Sequence, residues 1–327
     1  MRKLKNRIQG CLFGLAVGDA LGAPIEFMDI GQIKSAYGKK GIRNFEEWGG
    51  FPAGTYTDDT QMALATARGC LRALEIERKQ VGEIIDPDPY VYEEYFKWLK
   101  TQENPRERRA PGNTCLSALQ SGQMGTVEAP LNNSKGCGGV MRTAPVGLML
   151  EGQDAFKKGA DFAAMTHGHP SGYLPAGFLS DMIHWIIKER DLLMAVDLSY
   201  VTVKQYPGHE ETEALVQKAV NFISSDETDE PAAEIIPQIG AGWVGEEALS
   251  ISIYCAMRFP NNFKAGVLAA VNHSGDSDST GSITGAILGT LLGVEAIPSE
   301  WRDKVENASY IQKLADDIHR IQEFRPQ

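Results

Sequence analysis

Two stretches decide how this chain folds: Gly10–Gly22, reading GCLFGLAVGDALG, and Gly281–Gly293, reading GSITGAILGTLLG. Glycine returns at every fourth position in both, as Gly10, Gly14, Gly18, Gly22 and as Gly281, Gly285, Gly289, Gly293. On a helix a four-residue step turns the side-chain direction by only about 40°, so each set forms one glycine stripe. Glycine inside a helix costs up to roughly 1 kcal/mol against alanine. Eight such positions therefore call for something that approaches the backbone closely. We expect both helices to be central and tightly packed, bringing the two ends of the chain together.

Apolar residues recur at three-to-four spacing along nearly all the remaining sequence, with few alternating runs. The pattern predicts helices over 4–22, 59–80, 90–100, 113–121, 137–150, 153–166, 173–190, 209–224, 244–258, 262–272, 281–294 and 301–323. Turn-rich stretches separate them at Gly49–Gly54, Asp86–Pro89, Pro105–Gly112 and Ser224–Pro231, none long or monotonous enough for an interdomain linker. The expectation is one all-α domain over 1–327.

Composition narrows the function classes. Glycine makes up 34 of 327 residues, above the usual share of roughly 7%, but there is no collagen period. The net charge of −11 argues against nucleic-acid and anionic-membrane partners, which favour basic patches. No uncharged apolar run reaches the length of a bilayer span. Cys11, Cys70, Cys115, Cys137 and Cys255 are scattered, odd in number and without a C-x-x-C pair, as expected of reduced cysteines packed as small apolar residues in a cytoplasmic protein. The basic and apolar N-terminus has some signal-peptide character. Asp19 interrupts its apolar run, though, and Leu4, Ile8, Leu12 and Leu15 keep helical spacing, so it reads as a core helix.

Acidic residues carry the strongest chemical signal. Gly54–Thr60 (GTYTDDT) leads into a helix, as does Ser274–Gly281 (SGDSDSTG). Capping would explain one Asp or Ser at each helix start; two carboxylates apiece exceed that need. Thr57, Asp58, Asp59, Asp276, Asp278 and Ser279 form an all-oxygen set suited to hard cations such as Mg²⁺ or Mn²⁺ rather than zinc, with charge enough for two divalent ions. A calcium loop starting at Asp276 fails, because its twelfth position is Ile287 instead of Glu.

Other segments offer substrate contacts. Lys135–Thr143 (KGCGGVMRT) lacks the P-loop lysine, and its glycines suit either a phosphate cradle or a tight helix–helix turn. Asn113 is a candidate polar contact. In Thr166–Gly172 (THGHPSG) neither histidine has a Cys or a third His nearby, so His169 reads as structural. Glu26 follows the first glycine stripe, and would lie near the acidic motifs as a base or water-orienting group if the two stripes meet. Trp243, among small neighbours, suits either ring stacking or core anchoring. Glu246 or Glu247 could pair with a guanidinium.

Taken in order, Gly10–Phe27, Gly54–Ala63, Gly136–Pro145, Thr166–His167, Gly242–Arg258 and Gly275–Gly285 make the chain resemble the ADP-ribosylglycohydrolases over nearly its whole length. That resemblance implies a compact, orthogonal multi-helix domain around two Mg²⁺ or Mn²⁺ ions, with Thr57, Asp58, Asp59, Asp276, Asp278 and Ser279 as ligands. It implies ADP-ribose binding by the stretch from Gly136 through Gly138, Gly139 and Met141 to Arg142, and by His167, with Trp243 flanking the adenosine end. Glu26, Asp58 and Asp59 would position or deprotonate the attacking water. The implied substrate is an ADP-ribosylated protein, usually on arginine and in some branches serine, with O-acetyl-ADP-ribose as a further substrate; free ADP-ribose is the product. Ser279, where other members have threonine, leans toward the arginine branch. A non-catalytic binding protein would not need the complete oxygen set, and a two-metal phosphohydrolase would release phosphate or AMP instead.

Overall fold

The computed structural model describes residues 2–80, 83–224 and 231–323. It is an all-helical single domain, and among the described residues there is no β-strand, only isolated bridges between Trp48 and Phe51 and between Gly136 and Val244. The first half contains α1 (Arg2–Gly22), α2 (Ile30–Tyr37), α3 (Asp58–Lys79), α4 (Asp88–Thr101), α5 (Asn113–Gln120), α6 (Ala144–Gly147) and α7 (Gln153–Ala164). The second contains α8 (Pro170–Glu189), α9 (Leu192–Val203), α10 (Glu210–Ser224), α11 (Ala232–Ile239), α12 (Gly245–Arg258), α13 (Phe263–Val271), α14 (Ser277–Leu292), α15 (Ser299–Arg302) and α16 (Ala308–Glu323).

The glycine stripes meet. A Cβ on Gly10 would sit 2.0 Å from the carbonyl oxygen of Gly289, one on Gly14 2.1 Å from that of Gly285, and one on Gly18 1.9 Å from that of Gly281. The last step pairs Gly22 with Ser277, whose carbonyl oxygen would lie 2.3 Å away. The numbers descend on one helix as they rise on the other, so α1 and α14 run antiparallel with their backbones touching. Gly293 serves differently, because its φ of 86° ends α14 in a conformation that favours glycine, and its N–H donates to the Gly289 carbonyl.

This packing explains why α1 is buried on all sides. The stretch Lys3–Ile25 is long and apolar enough to cross a membrane once a few charges are tolerated, yet 94% of its most apolar window lies inside the protein. A helix that is hydrophobic all round belongs in a core. Its buried Arg7 donates to the carbonyls of Ile186 at 2.9 Å and Leu291 at 3.1 Å, tying α1 to the ends of α8 and α14.

Three helices lie outside the expected ranges. The α2 helix starts at a capping box, with Asp29 accepting from the Gln32 N–H and Gln32 accepting from the Asp29 N–H, each at 2.8 Å. The α9 sequence is too uniformly apolar to show a stripe, and α11 carries Pro237 within its eight residues. The helix expected over 137–150 is a 3-10 segment, Cys137–Arg142, followed by the one-turn α6, where Pro145 lies inside the first turn. The helix expected over 301–323 divides into α15 and α16 around Asn307, at φ 53°. Residues 225–230 of the expected Ser224–Pro231 turn lie outside the described residues.

Candidate active site

Antiparallel packing puts the C-terminal end of α1 beside the N-terminal end of α14, and the start of α3 joins them. Both acidic helices begin earlier than the sequence pattern indicates, so Asp58, Asp59 and Asp278 stand in first helical turns. Capping falls to their neighbours: the Thr57 hydroxyl accepts from the Asp59 N–H at 3.3 Å, and the Asp276 carboxylate accepts from the Ser279 N–H at 3.2 Å. Asp278 shares the Ser279 N–H with Asp276, accepting it at 3.0 Å, while Asp58 and Asp59 on α3 lie beyond the Thr57 cap.

The four aspartates, Ser279 and Glu26 line one cleft of about 210 Å³, together with Asn113, Gly136, Gly138, Met141, His167 and Trp243. The sequence-expected residues Thr57, Gly139 and Arg142 do not line it. The Thr57 hydroxyl instead hydrogen-bonds the Asp278 carboxylate. A Cβ on Gly139 would come 2.5 Å from the Gly172 carbonyl oxygen, so this glycine serves packing against α8. Arg142 is fully buried, donating to the Phe162 carbonyl at 2.9 Å and the Thr166 hydroxyl at 2.7 Å with its guanidinium 4.4 Å from the Tyr95 ring centre. The expected substrate contact by the Arg142 side chain is therefore corrected: the side chain is buried away from the cleft and lies behind His167. Its N–H occupies the Thr166 oxygen, the Thr166 hydroxyl lies 2.8 Å from His167 Nδ1, and His167 Nε2 faces Gly136 and Gly138. Burial, then the Arg142 charge, lowers the His167 pKa to about 3, so the ring is neutral and can present Nε2–H to an anion held by the glycine loop.

Two other expectations change. Glu247 accepts from the Ala241 and Gly242 N–H groups, both at 3.0 Å, and so shapes the loop that carries Trp243; it does not line the cleft. Glu246 is buried and does not line the cleft. Four cysteines are buried as expected, whereas Cys137 lines the cleft and donates from Sγ to Asp276 Oδ2 at 2.7 Å. His169 caps α8, its Nδ1 accepting from the Ser171 N–H at 3.0 Å, which agrees with the structural reading.

The Trp243 loop is held against the acidic motif by close backbone contact. The Asp276 N–H donates to the Ala241 carbonyl at 2.8 Å, and a Cβ on Gly275, at φ 153°, would meet that same oxygen at 1.9 Å. Trp243 remains 42% exposed, and its ring stacks on the still more exposed Phe27, with centroids 5.7 Å apart and planes at 17°. An aromatic face thus borders the carboxylates. The sequence motifs pointed to Trp243 and missed Phe27, although it directly follows Glu26.

Electrostatics single out this cluster. Burial and then Asp278 raise the pKa of Asp58 and Asp59 well above the ordinary carboxylate range, and burial and Asp276 do the same for Asp278. Glu26 is pushed up to about 11 by burial and by the charges of Asp278, Asp276, Asp58 and Asp19. Such a set repels itself unless protons or cations are present. Among the described residues no three His, Cys, Asp or Glu side chains stand in an arrangement that could hold a metal ion. The donors nevertheless fit a hard divalent ion: they are oxygens, and buried Asp59 Oδ2 has no hydrogen-bond partner.

A pH signature follows. Asp19, buried beside Asp278, is raised from 3.8 to about 7. A carboxyl raised in the folded chain keeps its proton there while the unfolded chain has lost it, so stability falls as pH rises between those two values. In a metal chelator the melting temperature should fall from pH 5 to pH 7.5, and saturating Mg²⁺ should reduce that fall. A melting temperature that climbs over this window without metal would contradict the electrostatic account.

A larger hollow of about 600 Å³ opens around Gly49–Thr55, Arg109 and Lys304, but it holds none of these carboxylates, and its Arg109 is paired with Glu306. The family model of the ADP-ribosylglycohydrolases matches residues 1–326. The chain belongs to that family. It is 29% identical over 305 residues to the ADP-ribosyl-[dinitrogen reductase] glycohydrolase of Rhodospirillum rubrum, covering 92% of this chain and 90% of that one. It is 25% identical to the ADP-ribosylhydrolase ARH3 of Mus musculus (97% and 92% covered), and 24% identical to the ADP-ribosylarginine hydrolase Tri1 of Pseudomonas putida (96% and 78% covered). A solved structure described as an ADP-ribosylglycohydrolase-related protein complex shares the fold, with a TM-score of 0.72 at 22% identity, over 98% of this chain and 99% of that one. The chain is therefore an ADP-ribosylglycohydrolase by family, and that family is metal-dependent.

Proposed function

We propose that this ADP-ribosylglycohydrolase removes ADP-ribose from modified arginine side chains of proteins, using two Mg²⁺ or Mn²⁺ ions, in the cytoplasm. The observation that carries the reading is the convergence of four buried aspartates and Glu26 on a cleft that also contains a glycine loop and a neutral histidine. Thr57, Asp58, Asp59, Asp276, Asp278 and Ser279 would hold the cations. When bound, the cations supply positive charge beside the distal ribose and favour ionisation of a nearby water.

The chain's own residues do the remaining work. The backbone of Gly136 and Gly138, with His167 Nε2–H, receives the diphosphate, while Asn113 and Met141 border the nucleotide and Trp243 offers its ring face for stacking. Glu26 is the only one of the five clustered acids that is not fully buried, so it borders the space where an attacking water and a leaving group would sit. Glu26, Asp58 and Asp59 thus share the orientation and deprotonation of that water, opposite the breaking bond between ribose C1″ and the side chain.

One relative's name favours arginine: the Pseudomonas protein is an ADP-ribosylarginine hydrolase. The test of linkage compares three substrates at saturating Mg²⁺: an arginine-ADP-ribosylated protein, a serine-ADP-ribosylated peptide and O-acetyl-ADP-ribose. The expected result is a kcat/KM at least about tenfold higher on the arginine linkage, a difference of 1.36 kcal/mol in transition-state binding. Faster turnover of either oxygen-linked substrate would move the enzyme to another branch of the family.

A further inference from the structure

Asp19 belongs to none of the acidic motifs, yet it touches one of them. It projects from the last turns of α1 and is fully buried. Its Oδ1 accepts from the Thr57 N–H at 2.8 Å, and its Oδ2 accepts from the Thr60 N–H at 2.9 Å and from the Thr60 hydroxyl at 2.5 Å. Thr57 and Thr60 bracket Asp58 and Asp59. One carboxylate therefore fixes both sides of the pair from a helix nearly 40 residues earlier in the chain.

We propose that Asp19 is a positioning residue, which holds Asp58 and Asp59 in the orientation that binds the divalent cations; this inference rests on the metal-dependent reading above. Ordinary capping does not require it. Thr57 already caps α3 through its own hydroxyl, and the first-turn amides would otherwise find a local acceptor or water. Instead the structure buries a carboxylate completely and beside Asp278, where a neutral acceptor would cost less. Each of its three bonds is charge-assisted when the carboxyl is ionised, and therefore short and directional. Asp19 sits one residue beyond Gly18, whose backbone touches Gly281. The register of the two glycine helices is thereby passed to the start of α3, and α1, α3 and α14 are fixed relative to one another at the point where their acids meet.

The test is Mn²⁺ binding, followed by the loss of the free-ion electron paramagnetic resonance signal, in full-length wild type, Asp19→Asn and Thr60→Val. The amide of Asp19→Asn keeps one acceptor and turns a donor toward donors, so its Mn²⁺ dissociation constant should rise by roughly 10- to 100-fold, the range for residues that orient a metal's ligands. Thr60→Val removes one of the three bonds and keeps the side chain's shape, so a severalfold rise is expected, and this variant serves if Asp19→Asn does not fold. Melting temperature, measured without metal, separates the two roles. Mn²⁺ affinity within twofold of wild type in a folded variant, whatever its melting temperature, would overturn the inference and leave Asp19 a structural cap. A wild type that binds no Mn²⁺ would instead sink the metal reading itself.

Discussion

Replacing Asp278 by alanine should cut turnover by on the order of a thousandfold or more while leaving the metal-free protein more stable than wild type. Both effects share a cause. After burial, the Asp278 charge does most to raise the pKa of Asp58, Asp59 and Glu26, so it stands electrostatically at the middle of the cluster. Removing it relieves repulsion in the absence of cations and removes a ligand in their presence. Loss of several kcal/mol of cation-supplied stabilisation, at 1.36 kcal/mol per decade, gives the expected loss of rate. Asp276→Ala should be as inactive without the gain in stability, because Asp276 also caps α14 and accepts from the Cys137 thiol. Steady-state rates at saturating Mg²⁺ and melting curves in chelator measure the pair of effects. Activity of Asp278→Ala within tenfold of wild type would refute the assignment of that residue.

The second large effect lies in the glycine stripes. Gly14→Leu or Gly285→Leu should abolish the folded protein, and Gly14→Ala alone should lower stability by at least the 1–3 kcal/mol typical of overpacking. The obstacle at each position is backbone: a Cβ at Gly14 would lie 2.1 Å from the Gly285 carbonyl oxygen, and one at Gly285 2.0 Å from that of Gly14. A flexible side chain could swing aside, whereas two helices can respond only by separating. Separation would disturb the joint between α1 and α14, and with it the placement of Glu26 and Asp278. Against a total stability of roughly 5–15 kcal/mol, the leucine variants have no margin. Urea unfolding of the alanine variant and soluble yield of the leucine variants measure this, and a Gly14→Leu protein melting within about 2 °C of wild type would contradict it.

These glycines also show which features a sequence can reveal. A four-residue glycine period has one economical physical explanation, close helix packing, so the pairing of α1 with α14 was legible from spacing alone. The acidic motifs were legible because they carry more carboxylates than caps require. Asp19 was not, because an aspartate inside an apolar run looks like an interruption; its partners, the amides of Thr57 and Thr60, are set only by tertiary packing. Arg142 departs from what the family resemblance implies: the 3-10 turn from Cys137 to Arg142 points it into the core, where it donates to the Phe162 carbonyl and the Thr166 hydroxyl. Gly139 is similar: adjacent glycines look equivalent in sequence, yet one borders the cleft and the next packs on α8. Helix α9 went unseen because its nearly continuous apolar sequence has no polar face to mark a period.

The most direct test of the central claim is release of ADP-ribose from an arginine-ADP-ribosylated protein by enzyme stripped of divalent ions, before and after Mg²⁺ or Mn²⁺ is restored, with the product identified by chromatography. The account predicts no release by the stripped enzyme, recovery on addition of metal, and intact ADP-ribose as the product. Equal release in chelator, or formation of AMP or phosphate in place of ADP-ribose, would contradict it.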